Sequence, residues 1–219
     1  MQLFTGKYTA IIGKTTATRS LNSEERILVQ QKVHDCINLV NQLFFDYIAA
    51  KFSPLCGDEF EGLLFNSEKT FKIIDYIERQ LYPTQLYFGI GIGEIFTELS
   101  PAVNENDGPA FHKARDMIHY VNAKNSKTNI MIQTHFVGNT DEILNSILAL
   151  TAALKSKWTS TEREAIFSIE YNKELDIDKQ LKIDKVNITN RLLTSGYYSY
   201  KQAMEVVTRI LKEQEHIMI

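Results

Sequence analysis

Two hydrophobic periods alternate along this chain, and the switches between them mark its elements. Tyr8-Thr9-Ala10-Ile11-Ile12 is a short β-rich run that stops at Gly13. From Ser23 the apolar residues recur at helical spacing, which predicts a long helix with Ile27, Val33, Ile37, Val40, Phe44 and Ile48 on one face. Asn22 or Ser23 is placed to cap it, and Glu24 and Glu25 suit its first turn. Phe52 to Leu55 and Phe60 to Phe65 flank Cys56-Gly57-Asp58-Glu59, the pattern of two strands joined by a tight hairpin turn. Glu68 to Gln80 is helical, with Phe71, Ile74 and Ile77 on one face and Pro83 beyond its end. Leu86 to Gly93 predicts a strand in which Gly89, Gly91 and Gly93 leave one face bare for a helix or a ligand to approach. After a loop from Ser100 to Gly108 come a helix from Pro109 to Val121, a strand from Asn129 to Phe136 and a helix from Asp141 to Leu154.

This order is β-α-β-β-α-β followed by α-β-α, so the predicted class is α/β (α+β) and opens with a ferredoxin-like split βαβ unit. That unit sets the hairpin turn beside the end of the first strand. Beyond Lys155-Ser156-Lys157 the pattern changes: there is no proline, one glycine (Gly196), and four helices are predicted over 161–171, 175–181, 185–193 and 199–213. The second and third, joined by Lys182-Ile183-Asp184, have the helix-turn-helix shape. The expected division is therefore a domain over 1–154 and a small all-α domain over 155–219.

Composition sharpens this division. The 219 residues are 44% hydrophobic with a net charge of −3, values of a folded globular chain rather than a disordered or collagen-like one. The two parts differ, however: 13 basic and 17 acidic residues before Lys155, then 11 basic and 10 acidic from it onward. An average acidic balance thus conceals a slightly basic C-terminal part. No apolar run reaches 18 residues and the first residues lack a secretory pattern, so the expectation is a cytoplasmic protein with no membrane contact. Cys36 and Cys56, without metal-type spacing, are expected to be reduced thiols.

Five stretches carry candidate chemistry. Asp58 and Glu59, with Glu61 nearby, place hard oxygen donors on the hairpin and make a candidate Mg²⁺ site, the alternative being a solvated acidic turn. Gly13-Lys14-Thr15 is not a phosphate loop, since Tyr8 stands where the motif needs glycine; Lys14 remains a candidate point charge for a phosphate. The glycines at 89, 91 and 93 lie inside a strand and do not spell a dinucleotide fingerprint. His112, Lys113 and Arg115 gather at the start of a helix, a candidate nucleotide or phosphate site whose alternative is a partly exposed helix face. The would-be recognition helix presents Lys185, Asn187, Thr189, Asn190 and Arg191 as donors for phosphates or base edges, with Val186, Leu192 and Leu193 expected to face the core. No zinc spacing occurs among the histidines.

These motifs resemble the SatD family in order and in kind: Ala10-Ile11-Ile12-Gly13, Leu55 to Leu64, Tyr87 to Ile95, Asp107 to Arg115, then Trp158-Thr159, Glu162-Arg163-Glu164 and Gly196 to Ala203. The resemblance spans roughly residues 8–212 and implies a small bacterial protein whose family activity is not well defined. A second resemblance is to the palm of GGDEF diguanylate cyclases and class III nucleotide cyclases. It is carried by the strand order, by Gly57-Asp58-Glu59-Phe60, and by Ala110-Phe111-His112-Lys113-Ala114-Arg115, which is similar to their Ala-Leu-Tyr-x-Ala-Lys helix. It implies metal-binding carboxylates after the first strand and at the hairpin. SatD relatives usually read Ile-Gly-Asp after that strand, whereas this chain reads Ile12-Gly13-Lys14. A lysine there puts a positive charge where a cation would bind, so two-metal cyclase chemistry is not expected and no residue is assigned a catalytic role. Lys14 is expected to pair with Asp58 or Glu59 instead.

The expected function is a cytoplasmic DNA-binding regulatory protein with a catalytically degenerate cyclase-like domain for ligand sensing or association. DNA is the expected partner, a nucleotide a candidate ligand and homodimerisation a candidate state. No cofactor is required, with Mg²⁺ the one candidate. The alternatives are a metal-dependent nucleotide-binding enzyme and a partner-binding module without catalysis.

Overall fold

Five strands make one sheet: β1 (Tyr8–Thr15), β2 (Ile48–Pro54), β3 (Glu59–Leu64), β4 (Leu86–Gly93) and β5 (Ile130–Gln133). Among the described residues there are seven α-helices: α1 (Ser23–Leu43), α2 (Thr70–Gln80), α3 (Pro109–Ala123), α4 (Thr140–Lys155), α5 (Ser160–Leu175), α6 (Lys185–Thr194) and α7 (Tyr197–His216). The computed structural model describes residues 7–16, 21–55, 58–123, 128–136, 138–175 and 185–216, with backbone alone for 171–175, 185–189 and 214–216. The sheet order is β2-β3-β1-β4-β5. β1 is antiparallel to both β3 and β4, β2 is antiparallel to β3, and β5 runs parallel to β4. This is the ferredoxin-like arrangement expected from the element order, extended by one strand. Among the described residues no helix is long and apolar enough to cross a membrane.

The start of α1 follows its sequence signals. Asn22 accepts from Glu25 N at 2.9 Å and Glu25 Oε2 accepts from Asn22 N at 3.0 Å, a reciprocal capping box. Its end does not. The apolar stripe projected through Ile48, yet the helix stops at Leu43, a 3₁₀ turn covers Phe45–Tyr47, and Ile48 opens β2. A β-branched residue serves either element, and pairing of Ile48 with Leu64 decides it. Ile27, expected on the buried stripe, is 64% exposed, and burial begins only at Val33, nearly two turns later. The expected start of β2 at Phe52 was late because register shifts between Ile48, Ala50 and Ser53 break the period-two pattern. The helix expected over 175–181 and the turn at 182–184 fall almost wholly outside the described residues, Leu175 being the last residue of α5.

Alternation along β4 sorts the two faces of the sheet. Phe88, Ile90 and Ile92 are fully buried on one side, in a cluster with Ile37 and Val40 of α1, Ile74 and Ile77 of α2, and Leu144 and Leu148 of α4. Gly89, Gly91 and Gly93 turn to the other side, where α3 lies directly on the strand. A Cβ on Gly91 would stand 2.1 Å from Ala110 O, and one on Gly89 would stand 2.2 Å from Ala114 O. The bare face thus takes a helix. Ala110, Ala114 and Ile118 complete that second layer with Ala10, Ile12 and Leu63.

The C-terminal helices attach to the first face. Val207 and Leu211 of α7 enter the same cluster as α1 and α2. Trp158, Ile166, Leu192, Tyr197 and Tyr200 form a separate cluster among α5, α6 and α7. Between them, Lys155 Nζ lies 2.6 Å from Asp75 Oδ1 and also contacts Glu78, while Tyr200 donates its hydroxyl to Asp75 at 2.7 Å. Burial alone would push the Lys155 ammonium toward losing its proton, but the charges of Asp75 and Glu78 prevail and hold its pKa well above the usual lysine range.

Gly91→Val should destabilise the protein by roughly 1–3 kcal/mol or more, because backbone atoms of α3 cannot step aside as a side chain would. A urea unfolding curve checks this, with a solvent-facing Leu150→Val change on α4 as the near-neutral comparison.

Candidate functional site

β1 and β3 bring the candidate chemistry together by register. Lys14 pairs with Glu59, Gly13 with Phe60 and Ile12 with Glu61, so Lys14, Glu59 and Glu61 project on the face that α3 covers. Arg115, beside the packed Ala114, reaches back over this edge. Lys14 Nζ lies 2.9 Å from Glu59 Oε1 and 3.5 Å from Asp58 Oδ1. Arg115 contacts Glu59 Oε2 at 2.7 Å and Glu61 Oε2 at 3.1 Å through its two terminal nitrogens. The Lys14 and Glu59 side chains keep only 22% and 20% of their exposure, so these are half-shielded pairs rather than surface ones.

The charges tune one another. The hydrogen bond to Glu59 raises the Lys14 pKa against the opposing effect of burial. Burial pushes the Glu59 carboxyl up, but Lys14 and Arg115 together outweigh it and hold the pKa below the usual carboxylate value. Glu61 is buried more deeply and meets only the far nitrogen of Arg115, so burial wins and its pKa is raised. Both oxygens of Glu59 are committed to cations and an ammonium stands between the two hairpin carboxylates. This donor set does not suit a divalent metal ion, and among the described residues no group of three or more potential metal ligands occurs.

The candidate phosphate residues divide. Lys14 and Arg115 meet at Glu59. Lys113 turns the other way and donates to Ile92 O at 3.0 Å. In the β1–β4 register Ile92 lies opposite Thr9 and Tyr87 opposite Lys14, five residues apart, or ~17 Å along the sheet. His112 is paired with Asp107 at 3.0 Å at the solvent-facing start of α3. Glu61, named beside the hairpin donors but not assigned as a ligand, belongs to the site; its signal is the two-residue spacing from Glu59, which puts both on one face of a strand. Near Lys113 sits His135, whose ring nitrogens are both buried and meet no close hydrogen-bond partner among the described residues. Burial, reinforced by the charges of Lys7 and Lys113, depresses its pKa to about 4.

On α6, Asn190 and Arg191 are exposed and Leu192 is 3% exposed; the side chains of Lys185, Asn187 and Thr189, like that of Val186, lie outside the described set. Leu193, expected in the core beside Leu192, is 62% exposed. Neighbouring helix positions point about 100° apart, and only Leu192 faces Trp158 and Tyr197.

The fold and the site define an α+β protein with a ferredoxin-like sheet, a hairpin carboxylate cluster closed by cations, and an attached set of C-terminal helices. The SatD family model matches residues 8–211, and the chain belongs to that family. Among solved structures it is similar to a bacterial light-regulated adenylyl cyclase, at TM-score 0.46 and 11% identity, covering 60% of this chain and 77% of that one. A second such structure gives 0.42 and 10%, over 60% of this chain and 44% of that one. The active GGEEF domain of a diguanylate cyclase from Vibrio cholerae gives 0.37 and 12%, over 61% and 85%. A search of the curated proteins finds no match.

Lys14→Met should lower stability by on the order of 1–2 kcal/mol at neutral pH, between the values for surface and for buried pairs. Because the folded Glu59 pKa is depressed, the stability it contributes is present above the unfolded value of 4.5 and fades as pH falls through the folded one. The difference between wild type and variant in urea midpoint should therefore shrink on acidification. For His135, whose folded pKa lies below its unfolded value of 6.5, stability should fall as pH drops from 6.5 to about 4, and His135→Phe should flatten that part of the curve.

Proposed function

We propose that this SatD-family protein is a cytoplasmic regulatory protein without catalytic activity, in which a cyclase-like palm serves ligand sensing or association and a C-terminal helix-turn-helix contacts DNA through α6. The observation that carries this reading is the Lys14 ammonium, 2.9 Å from Glu59 and 3.5 Å from Asp58. Two-metal nucleotidyl transfer needs cations between an attacking hydroxyl and a leaving oxygen, held by carboxylates from the first strand and the hairpin. Here the strand residue is itself the cation, and Arg115 takes the remaining Glu59 oxygen.

A cavity of about 570 Å³ beside the hairpin, bordered by Thr15, Arg26, Gln30, Asp58 and Glu59, supports the ligand-sensing part. A nucleotide is the candidate ligand there, with no metal called for. The DNA part is supported by the outward Asn190 and Arg191 on a helix anchored through Leu192. With a near-neutral C-terminal part, affinity should depend on two copies reading paired half-sites, which makes a homodimer part of the proposal.

Incubation of the purified protein with Mg²⁺ or Mn²⁺ and each nucleoside triphosphate should give no cyclic or dinucleotide product; turnover by wild type would overturn the reading. A Lys14→Asp variant tests whether the lysine alone closes the chemistry. In a gel-shift with the full chain, binding should weaken steeply with salt, and Arg191→Ala should weaken it across sequences while reducing the salt slope by about 1. Absence of binding at low salt would remove the DNA part.

A further inference from the structure

A cavity of about 930 Å³ opens between α2, α5 and α7, well away from the hairpin. Its size lies within the ~300–1,000 Å³ of small-molecule sites. Two features give it a chemical preference. The first is flat stacking surface. The Arg79 guanidinium lies 3.9 Å over the ring of Phe167, and that of Arg163 lies over Tyr82 at 5.2 Å and Trp158 at 5.9 Å. Guanidinium planes backed by aromatic rings are platforms on which another planar ring stacks. The second is charge. Of the carboxylates that line the cleft, Asp75 and Glu78 are held by Lys155, and Glu170 by Lys201 at 3.1 Å and by the Tyr197 hydroxyl. Arg163 gives its hydrogen bonds to two neutral oxygens, Lys155 O at 2.6 Å and Trp158 O at 3.3 Å, so those bonds leave its charge uncancelled. The lining as a whole is close to balanced, with eight Lys and Arg against seven Asp and Glu, so the preference for an anion rests on Arg163.

We propose that this cleft binds a small planar aromatic anion, its ring stacked among Tyr82, Trp158 and Phe167 and its charged group facing Arg163. The anionic group can be a carboxylate or a phosphate. The site has a structural outlet: Trp158 donates its indole N–H to Ser195 O at 2.7 Å, at the turn after α6, so a ring against Trp158 lies beside the bond that seats that helix.

Trp158 is the only tryptophan in the chain, so its fluorescence reports on this cleft alone. The full-length protein is titrated with benzoate and with adenosine 5′-monophosphate, and in parallel with their uncharged counterparts benzamide and adenosine. At least one anion should give a saturable change, with affinity about tenfold or more above that of its neutral counterpart. The pair that responds tells carboxylate from phosphate. Arg163→Gln should weaken the response about tenfold, and Phe167→Leu should weaken it while keeping the charge. Leu150→Val, solvent-facing on α4 and outside the cleft lining, should leave it unchanged. No saturable change with either anion at millimolar concentration overturns the proposal, as does equal binding of the neutral counterparts. Should Arg163→Gln fail to fold, the comparison of anion with neutral counterpart on wild type decides alone.

Discussion

The contact on which the arrangement depends is the seating of α3 on the bare face of β4. Hydrogens alone at positions 89 and 91 let the helix backbone come within van der Waals reach of the strand, where any Cβ would collide with Ala110 O or Ala114 O. That approach fixes both the height and the rotation of α3. Ala110, Ala114 and Ile118 face the sheet, and the residues next to Ala114 on either side lean in opposite directions. Arg115 falls over the hairpin edge and Lys113 over the far end of β4. The charge chemistry of the molecule follows from a packing constraint two residues wide.

At the hairpin the same register that joins β1 to β3 brings a lysine face to face with a glutamate. The pair is partly shielded from water, so its attraction counts for more than that of an exposed pair while its desolvation cost stays below that of a fully buried one. A carboxylate at position 14 would have produced three acidic groups at one strand edge and a demand for a metal ion. The lysine satisfies Asp58 and Glu59 from within the chain, and Arg115 extends the neutralisation to Glu61. The negative charge gathered at this edge is met by protein cations.

The C-terminal helices are joined to the rest of the fold by apolar and ionic means together. Val207 and Leu211 share the main cluster, and the Asp75, Glu78, Lys155 and Tyr200 group lies between α2 and the C-terminal elements. Lys155, where the sequence changes character, is itself one of the side chains that meet at this junction.

Much of this was legible in the amino-acid order. The alternating glycines announced a close approach, the Asn22 to Glu25 spacing announced a capped helix, and the element sequence announced a ferredoxin-like unit, since each rests on interactions between residues near in sequence or on a period of two or 3.6. The pairing of Lys14 with the hairpin carboxylates was also readable, because strand order places those two edges side by side. Other features required the tertiary structure. Ile48 suits helix or strand equally and is assigned by its partner Leu64. Lys113 and Arg115 are two residues apart, yet helix rotation sends them to sites ~17 Å apart along the sheet. Glu59 and Glu61 have opposite pKa shifts through unequal burial and unequal shares of Arg115. The sequence by itself determined the elements, their order and the charges available at each edge. Which charges meet, and how far water is excluded from them, was decided only when the chain packed, because both depend on neighbours brought from 45 or more positions away.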